Sequence, residues 1–297
     1  MISLKRVPAD VQWGRGSVIA YLDSLSTVVC IAFLVLGSWS DLKTREVSNK
    51  LWAASLPIVA IIAAIRAYIS PGLLLLYVIS IALSIIVSLA IFEVGFFGGA
   101  DAKAMICLGV AMPLFPDMFR PILGYLHPFF PLIVLTNSFL ISLVSIAYVI
   151  AENLSWKLHV RQPFFDGFER EHFMKKLLVL FSAYKVKLRE LKKGVHLIPI
   201  EDVDESDGTP LRKITLFVGA EADRDAVVNR LEKYISNGAI PDQVWVTPGL
   251  PMLVFISFGL VASLVIGDIL FYLIFGMVRL GSGSLSTECL SNWWGNL

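Results

Sequence analysis

The stretch LLLLYVISIALSIIVSLAIF, residues 73–92, contains no charged side chain. About 20 apolar residues, each rising about 1.5 Å along a helix, cross the roughly 30 Å hydrocarbon core of a bilayer. The stretch therefore predicts a membrane-spanning helix. Working outward from it, six segments of this kind fall at 19–40, 51–69, 73–94, 101–115, 131–151 and 251–276. The fourth is short and opens on an acid. Between the second and third lies Ser70-Pro71-Gly72, where a missing backbone donor and a permissive glycine favour a sharp reversal, so the two form a helical hairpin. Between the fourth and fifth, Pro113, Pro116, Pro121, Pro128, Phe129, Phe130 and Pro131 suit a membrane–water interface.

Composition agrees. Of 297 residues 56% are hydrophobic and 16% charged, and the mean hydropathy is +0.73, against about 25% charged residues in soluble domains. A net charge of +1, with no basic run carrying interleaved aromatics, gives no footing for nucleic acid. Cys30 and Cys107 lie in apolar stretches and Cys289 stands alone, so neither a zinc site nor a disulfide framework is indicated. Lys5 and Arg6 are followed by the polar stretch Asp10 to Arg15 and not by an apolar core, which argues that the first hydrophobic segment is retained.

Loops rich in lysine and arginine stay in the cytoplasm. Residues 41–50 carry Lys43, Arg45 and Lys50, and residues 152–247 carry 15 Lys and Arg. Both fall on one side if the N-terminus is outside, although the N-terminal cations Lys5, Arg6 and Arg15 pull mildly the other way. Residues 152–247 themselves read as a soluble α+β insertion. Leu197–Ile200 and Ile214–Val218 resemble short strands, and Asp223–Ser236 a helix with Val227, Leu231 and Tyr234 on one face. The acidic run Glu201 to Asp207 reads as a solvated loop. The expected fold class is thus an all-α polytopic membrane protein with six transmembrane helices and this insertion between the fifth and sixth. Residues 1–151 form the membrane domain with helices one to five, 152–247 a cytoplasmic insertion, 248–278 the sixth helix, and 279–297 a linker-like tail.

An intramembrane charge costs on the order of 2.5–3.5 kcal/mol on insertion scales, so acids in such segments are candidates for chemistry. Asp23 and Asp268 are isolated and read as interfacial or packing groups. Asp41 stands where helix one emerges, ahead of Lys43, Arg45 and Glu46, and alone reads as a boundary residue. Asp101 follows Gly98-Gly99-Ala100, small residues that let a peptide backbone approach and that can take angles closed to other residues. The plain alternative for Asp101 is helix N-capping. Helix one ends, and helix four starts, at the same membrane face, so Asp41 and Asp101 arrive at one depth. Two facing carboxyls do not ionise together. One then activates water while the other protonates the scissile carbonyl, as a jointly titrating peptidase dyad that needs no metal and no cofactor.

Ser40-Asp41-Leu42-Lys43-Thr44-Arg45-Glu46-Val47-Ser48-Asn49 resembles the first-aspartate motif of archaeal preflagellin and prepilin peptidases, and Gly98-Gly99-Ala100-Asp101-Ala102-Lys103 resembles their second, GxGD-type motif. Trp245-Val246-Thr247-Pro248-Gly249-Leu250-Pro251, before the last helix, is a third likeness. The resemblance implies a type IV leader peptidase that cuts short basic leaders from archaeal flagellin or pilin precursors at the cytoplasmic side of the cell membrane, with Asp41 and Asp101 as the catalytic pair. It lacks the paired-cysteine domain of the bacterial enzymes, which argues against their additional N-methyltransferase activity. Around the pair, Lys103 either tunes the dyad or snorkels. Arg45 and Glu46 either orient Asp41, meet a basic leader, or are boundary charges. Glu93 is a possible subsite for a basic leader residue, and Gly98 and Gly99 a binding floor. Three other readings stay open: an ion-coupled transporter, a membrane scaffold whose insertion recruits partners, and a GxGD intramembrane protease with another substrate. The precursor cut and the oligomeric state are not legible.

Overall fold

In a computed structural model of the chain, the description covers residues 9–124, 127–160, 162–169, 171–193, 197–204, 211–215, 224–249 and 251–282. The uncharged stretch forms α3 (Leu74–Glu93), and the hairpin before it is present: α2 (Asn49–Ile69) ends at Ser70, and a single 3-10 turn, Pro71–Leu73, leads into α3. The first helix, α1 (Ala9–Thr44), starts ten residues before the apolar run because the polar stretch ahead of it is also helical. Among the described residues, four helical spans are long and apolar enough to cross a membrane, 17–44, 49–69, 71–93 and α5 (Phe130–Val160). A fifth is possible if α9 (Met252–Val265) and α10 (Ile269–Ser282), bent by 61° at their junction, count as one span. The molecule is a multi-pass membrane protein by these helices.

The fourth expected span differs. It is α4 (Gly99–Ala111), 13 residues, about 20 Å of helix and too short to cross alone. Met112 leaves helical geometry (φ −135°, ψ 70°) because the residue before Pro113 is pushed out of the helical region. The sixth span is also modified, since Gly267 adopts φ 105° and breaks it.

The chain forms two compact units, residues 1–92, 97–141 and 252–297, and residues 93–96 and 142–251. In the first, α1, α2, α4 and α9 pack around Phe33, Leu34, Met105, Leu108, Leu253 and Ile256. Tyr77, Ser80, Ser84 and Ser88 are the buried positions of α3, a seam of mostly small residues. Small side chains let helices in lipid approach closely: a Cβ on Gly109 of α4 would come within 2.3 Å of the Ser84 hydroxyl, which donates to the Met105 carbonyl at 3.0 Å. Arg66 is buried and donates to the Ala111 carbonyl (2.7 Å), to Asp23 (2.7 Å) and to Ser26 (3.2 Å). It thereby satisfies a carbonyl at the end of a helix that stops inside the apolar core. At the α9–α10 break, Ile122 and Leu123 donate their backbone N–H groups to Val265 (3.0 Å) and Ile266 (2.8 Å), Asp268 donates to Gly124 (3.1 Å), and the Asn137 amide donates to Gly267 (2.7 Å). Asp268 also accepts from the Phe271 backbone N–H, capping α10.

The second unit holds an antiparallel sheet in the order β1 (Tyr184–Lys187), β5 (Gln243–Pro248), β2 (Leu197–Pro199), with β3 (Glu201–Asp204) paired to β4 (Leu211–Ile214). Three helices accompany them: α6 (Phe173–Ser182), α7 (Leu188–Lys193) and α8 (Arg224–Ser236). The strand at Leu197 and the helix at 224–236 match expectation, and Leu231 is buried with Val227 and Tyr234 against the same core. Of the expected strand 214–218, Ile214 closes β4 and residues 216–218 lie outside the described residues. The acidic run is corrected: Glu201–Asp204 is a strand, and Glu201 is fully buried, accepting from Arg212 (2.6 Å) and from the Trp245 backbone N–H (3.1 Å). Its residues 205–207 lie outside the described residues, as does the tail from 283.

Candidate active site

Helix α1 ends in a left-handed cap. Arg45 has φ 58° and its backbone N–H donates to the Asp41 carbonyl at 3.0 Å. Glycine is the usual residue in this position, so a large cation here carries backbone strain. The Ser40 and Thr44 hydroxyls both donate to the Glu46 carbonyl (2.7 and 3.0 Å), and Ser48 caps α2, accepting from Lys50. Asp41 therefore sits in the last turn of a helix whose exit is fixed by four neighbouring residues. Its side chain is half-buried, and among the described residues no hydrogen bond reaches it.

Asp101 is buried in the first turn of α4. Its carboxylate reaches back to accept the Gly98 backbone N–H at 2.8 Å, the second half of a capping box. The start of α9, at Leu253, lies close enough to the same carboxyl group for its backbone to act on it. Asp101 thus lies at the N-terminal ends of two helices at once. Gly98 does not use glycine's special angles: it is extended at φ −74°, ψ 163°. What its missing side chain leaves room for is the Asp101 carboxylate itself, 3.2 Å from where a Cβ would stand. Gly99 is helical, and its Cβ position meets the Phe92 ring at 3.9 Å, an ordinary contact.

The two acids come to one level through the packing of α1 on α9. The Ser38 and Ser257 hydroxyls bond at 2.9 Å. One turn along α1 from Ser38 is Asp41, and one turn back along α9 from Ser257 is Leu253, beside Asp101. Asp41 is close enough for its charge to act on Asp101. Lys103 is exposed and donates to the Asn49 side chain at 2.7 Å, tying α4 to the start of α2. Arg45 lies near enough to act on Asp41. Glu46 is exposed, and Glu93, the last residue of α3, is exposed and forms no ion pair among the described residues. Among the described residues no three His, Cys, Asp or Glu side chains converge on one point. A buried, fixed carboxyl beside a half-exposed one can hold a water and pass its proton.

Sequence reasoning missed Leu253, because a backbone group leaves no side-chain signal. The hint was Pro251 directly before the helix, a residue favoured at helix starts. Asp23, expected as an interfacial or packing acid, is the partner of Arg66.

Fold and site together define a multi-pass membrane protein with two helix-end carboxyls drawn together beside its interior. Residues 28–148 match the type IV leader peptidase family, and residues 175–269 match the archaeal peptidase A24 C-terminus, type II. Preflagellin peptidases of Methanococcus voltae and Methanocaldococcus jannaschii are 25% and 27% identical over 245 and 246 residues, in both cases 79% of this chain and 92% and 91% of the relative. That of Methanococcus maripaludis is 26% identical over 246 residues, 79% of this chain and 92% of its own length. By these matches the chain is similar to the type IV leader peptidase family over residues 28–148 and to preflagellin peptidases over most of its length, and it is a peptidase.

Proposed function

We propose that this peptidase is an aspartyl endopeptidase that removes the short basic leader from flagellin or type IV pilin precursors, with Asp41 and Asp101 as its dyad at the cytoplasmic face. Residues 1–151 and 248–278 lie in the membrane, α4 entering the bilayer as a sixth element without crossing it, and 152–247 lie in the cytoplasm. The observation that carries the reading is the seat of Asp101, buried where the starts of α4 and α9 meet, with Asp41 at the same level. In the reaction one carboxyl, unprotonated, takes a proton from the attacking water. The other, protonated, donates to the scissile carbonyl oxygen, and the tetrahedral intermediate then collapses with proton transfer to the leaving amine. The three relatives named as preflagellin peptidases support the substrate class.

The test is cleavage of a preflagellin and a prepilin by wild type, Asp41→Asn and Asp101→Asn in detergent micelles, with thermal melting as the folding control. Each substitution is expected to lower kcat by about 10²- to 10⁴-fold, and the double variant by little more, because the pair acts as a unit. Robust cleavage by either folded single variant rejects the dyad.

A further inference from the structure

Helix α6 turns its apolar face away from the second unit's core. Phe173, Met174, Leu178 and Phe181 are 71%, 54%, 53% and 46% exposed, and they share one side of the helix by their spacing. The opposite side faces the second unit's core through Val179, which is fully buried with Phe168 and Trp245. The two lysines of α6 turn toward that side as well: Lys175 pairs with Glu171 at 2.7 Å, and Lys176 lies over the Phe165 ring at 5.9 Å. A surface helix of a soluble domain has the reverse arrangement, charge outward and apolar stripe inward.

What covers that face follows from where α6 is tied. The Asn153 amide of α5 donates to the Leu180 carbonyl (3.0 Å) and the Ala183 carbonyl (2.8 Å), fastening the C-terminal end of α6 to α5. A helix needs about 20 residues to cross the hydrocarbon, and α5 begins at Phe130, so Asn153 stands where α5 leaves the bilayer. Aromatics of the kind that settle at headgroup level flank it within the same unit. Tyr148 meets Tyr184 edge to face (5.9 Å), and the Trp156 indole donates to Gln243 at 2.9 Å. The exposed Leu154 and Leu158 carry the apolar surface of α5 to the same height.

We propose that α6 is an in-plane membrane helix. Its Phe173, Met174, Leu178 and Phe181 face lies in the headgroup–acyl boundary of the leaflet from which α5 emerges, giving the second unit a lipid attachment besides its covalent ones. The depth expected of such a helix is about 5–10 Å below the headgroups. The inference requires that α5 cross the bilayer and holds whatever the peptidase cuts.

The test uses the full chain, with native cysteines replaced, in liposomes of mixed neutral and anionic lipid. Single nitroxides are placed at Met174, Leu178 and Phe181, and at Asn237 as a water-exposed reference. The expected result is relaxation enhancement by oxygen exceeding that by a water-soluble nickel chelate at the three α6 positions, with the order reversed at Asn237. The same order as Asn237 at all three positions overturns the proposal. So does protection that vanishes on diluting the protein in lipid, which would mean that a second copy covers the face. Three independent positions guard against a single label that disturbs folding.

Discussion

Replacing Arg66 by Met should be among the most damaging single changes outside the site. The guanidinium is 5% exposed and serves three acceptors, the Asp23 carboxylate at 2.7 Å, the Ala111 carbonyl at 2.7 Å and the Ser26 hydroxyl at 3.2 Å. Methionine fills much of the volume but donates nothing. It leaves a buried carboxylate without its counter-charge, a loss of about 3–5 kcal/mol when one partner of a buried pair is removed. It also leaves the Ala111 carbonyl unmet, and an unsatisfied buried acceptor costs about 1–3 kcal/mol. The two overlap in one side chain, so the expected destabilisation is about 4 kcal/mol. The double variant Asp23→Leu, Arg66→Met removes both charges together and should recover at least about 2 kcal/mol of it, leaving mainly the carbonyl. The assay is reversible unfolding in mixed micelles by titration with a denaturing detergent, run as a double-mutant cycle with Asp23→Leu alone. An Arg66→Met protein within about 0.5 kcal/mol of wild type, the scatter of neutral surface changes, would refute the reasoning. So would a strictly additive cycle.

A Cβ at Gly259 would stand 2.0 Å from the Ser138 hydroxyl and 2.8 Å from the Val134 backbone oxygen. Gly259→Ala should therefore force α9 off α5 at a cost of about 1–3 kcal/mol, read as a lower melting temperature that Ser138→Ala restores only in part. In the second unit, Lys185 lies 4.5 Å from the Trp156 ring and 5.4 Å from the Trp245 ring. Burial first, and then the Arg212 charge, lower it from 10.5 to about 8. Below about pH 8 folded and unfolded chains both hold this proton; above it the unfolded chain alone does, so stability should rise with pH up to about 10.5. Melting temperatures across that window should climb for wild type and climb less for Lys185→Met. Glu93→Gln should raise KM for precursors with basic leaders while leaving kcat unchanged; an unaltered preference between basic and neutral leaders removes Glu93 from the substrate path.

The spans were legible where nothing but hydropathy decides them, as in α3, and at Ser70-Pro71-Gly72, whose turn chemistry is local. The length of α4 was misjudged because the apolar run continues past Ala111 and only the proline at 113 reports the stop. Glu201 looked solvated since its partner, Arg212, lies across a pair of strands that charge patterning does not register. The Asp23–Arg66 pair joins residues 43 apart in the chain, with no periodicity to link them. The helix-end positions of Asp41 and Asp101 were legible for a simpler reason: each stands where an apolar run ends or begins. How Asp101 is held, by the Gly98 N–H with the start of α9 beside it, depends on tertiary packing and could not be read.

The junction of α9 and α10 bears on the order in which the protein is made. The carbonyls left open by that break are closed by Ile122 and Leu123, and Gly267 comes so near Gly124 that an added Cβ would stand 2.1 Å from its carbonyl oxygen. Those partners are synthesised more than a hundred residues earlier. Residues 265–268 are synthesised after residues 122–124, so this seam can close only once both segments have been made.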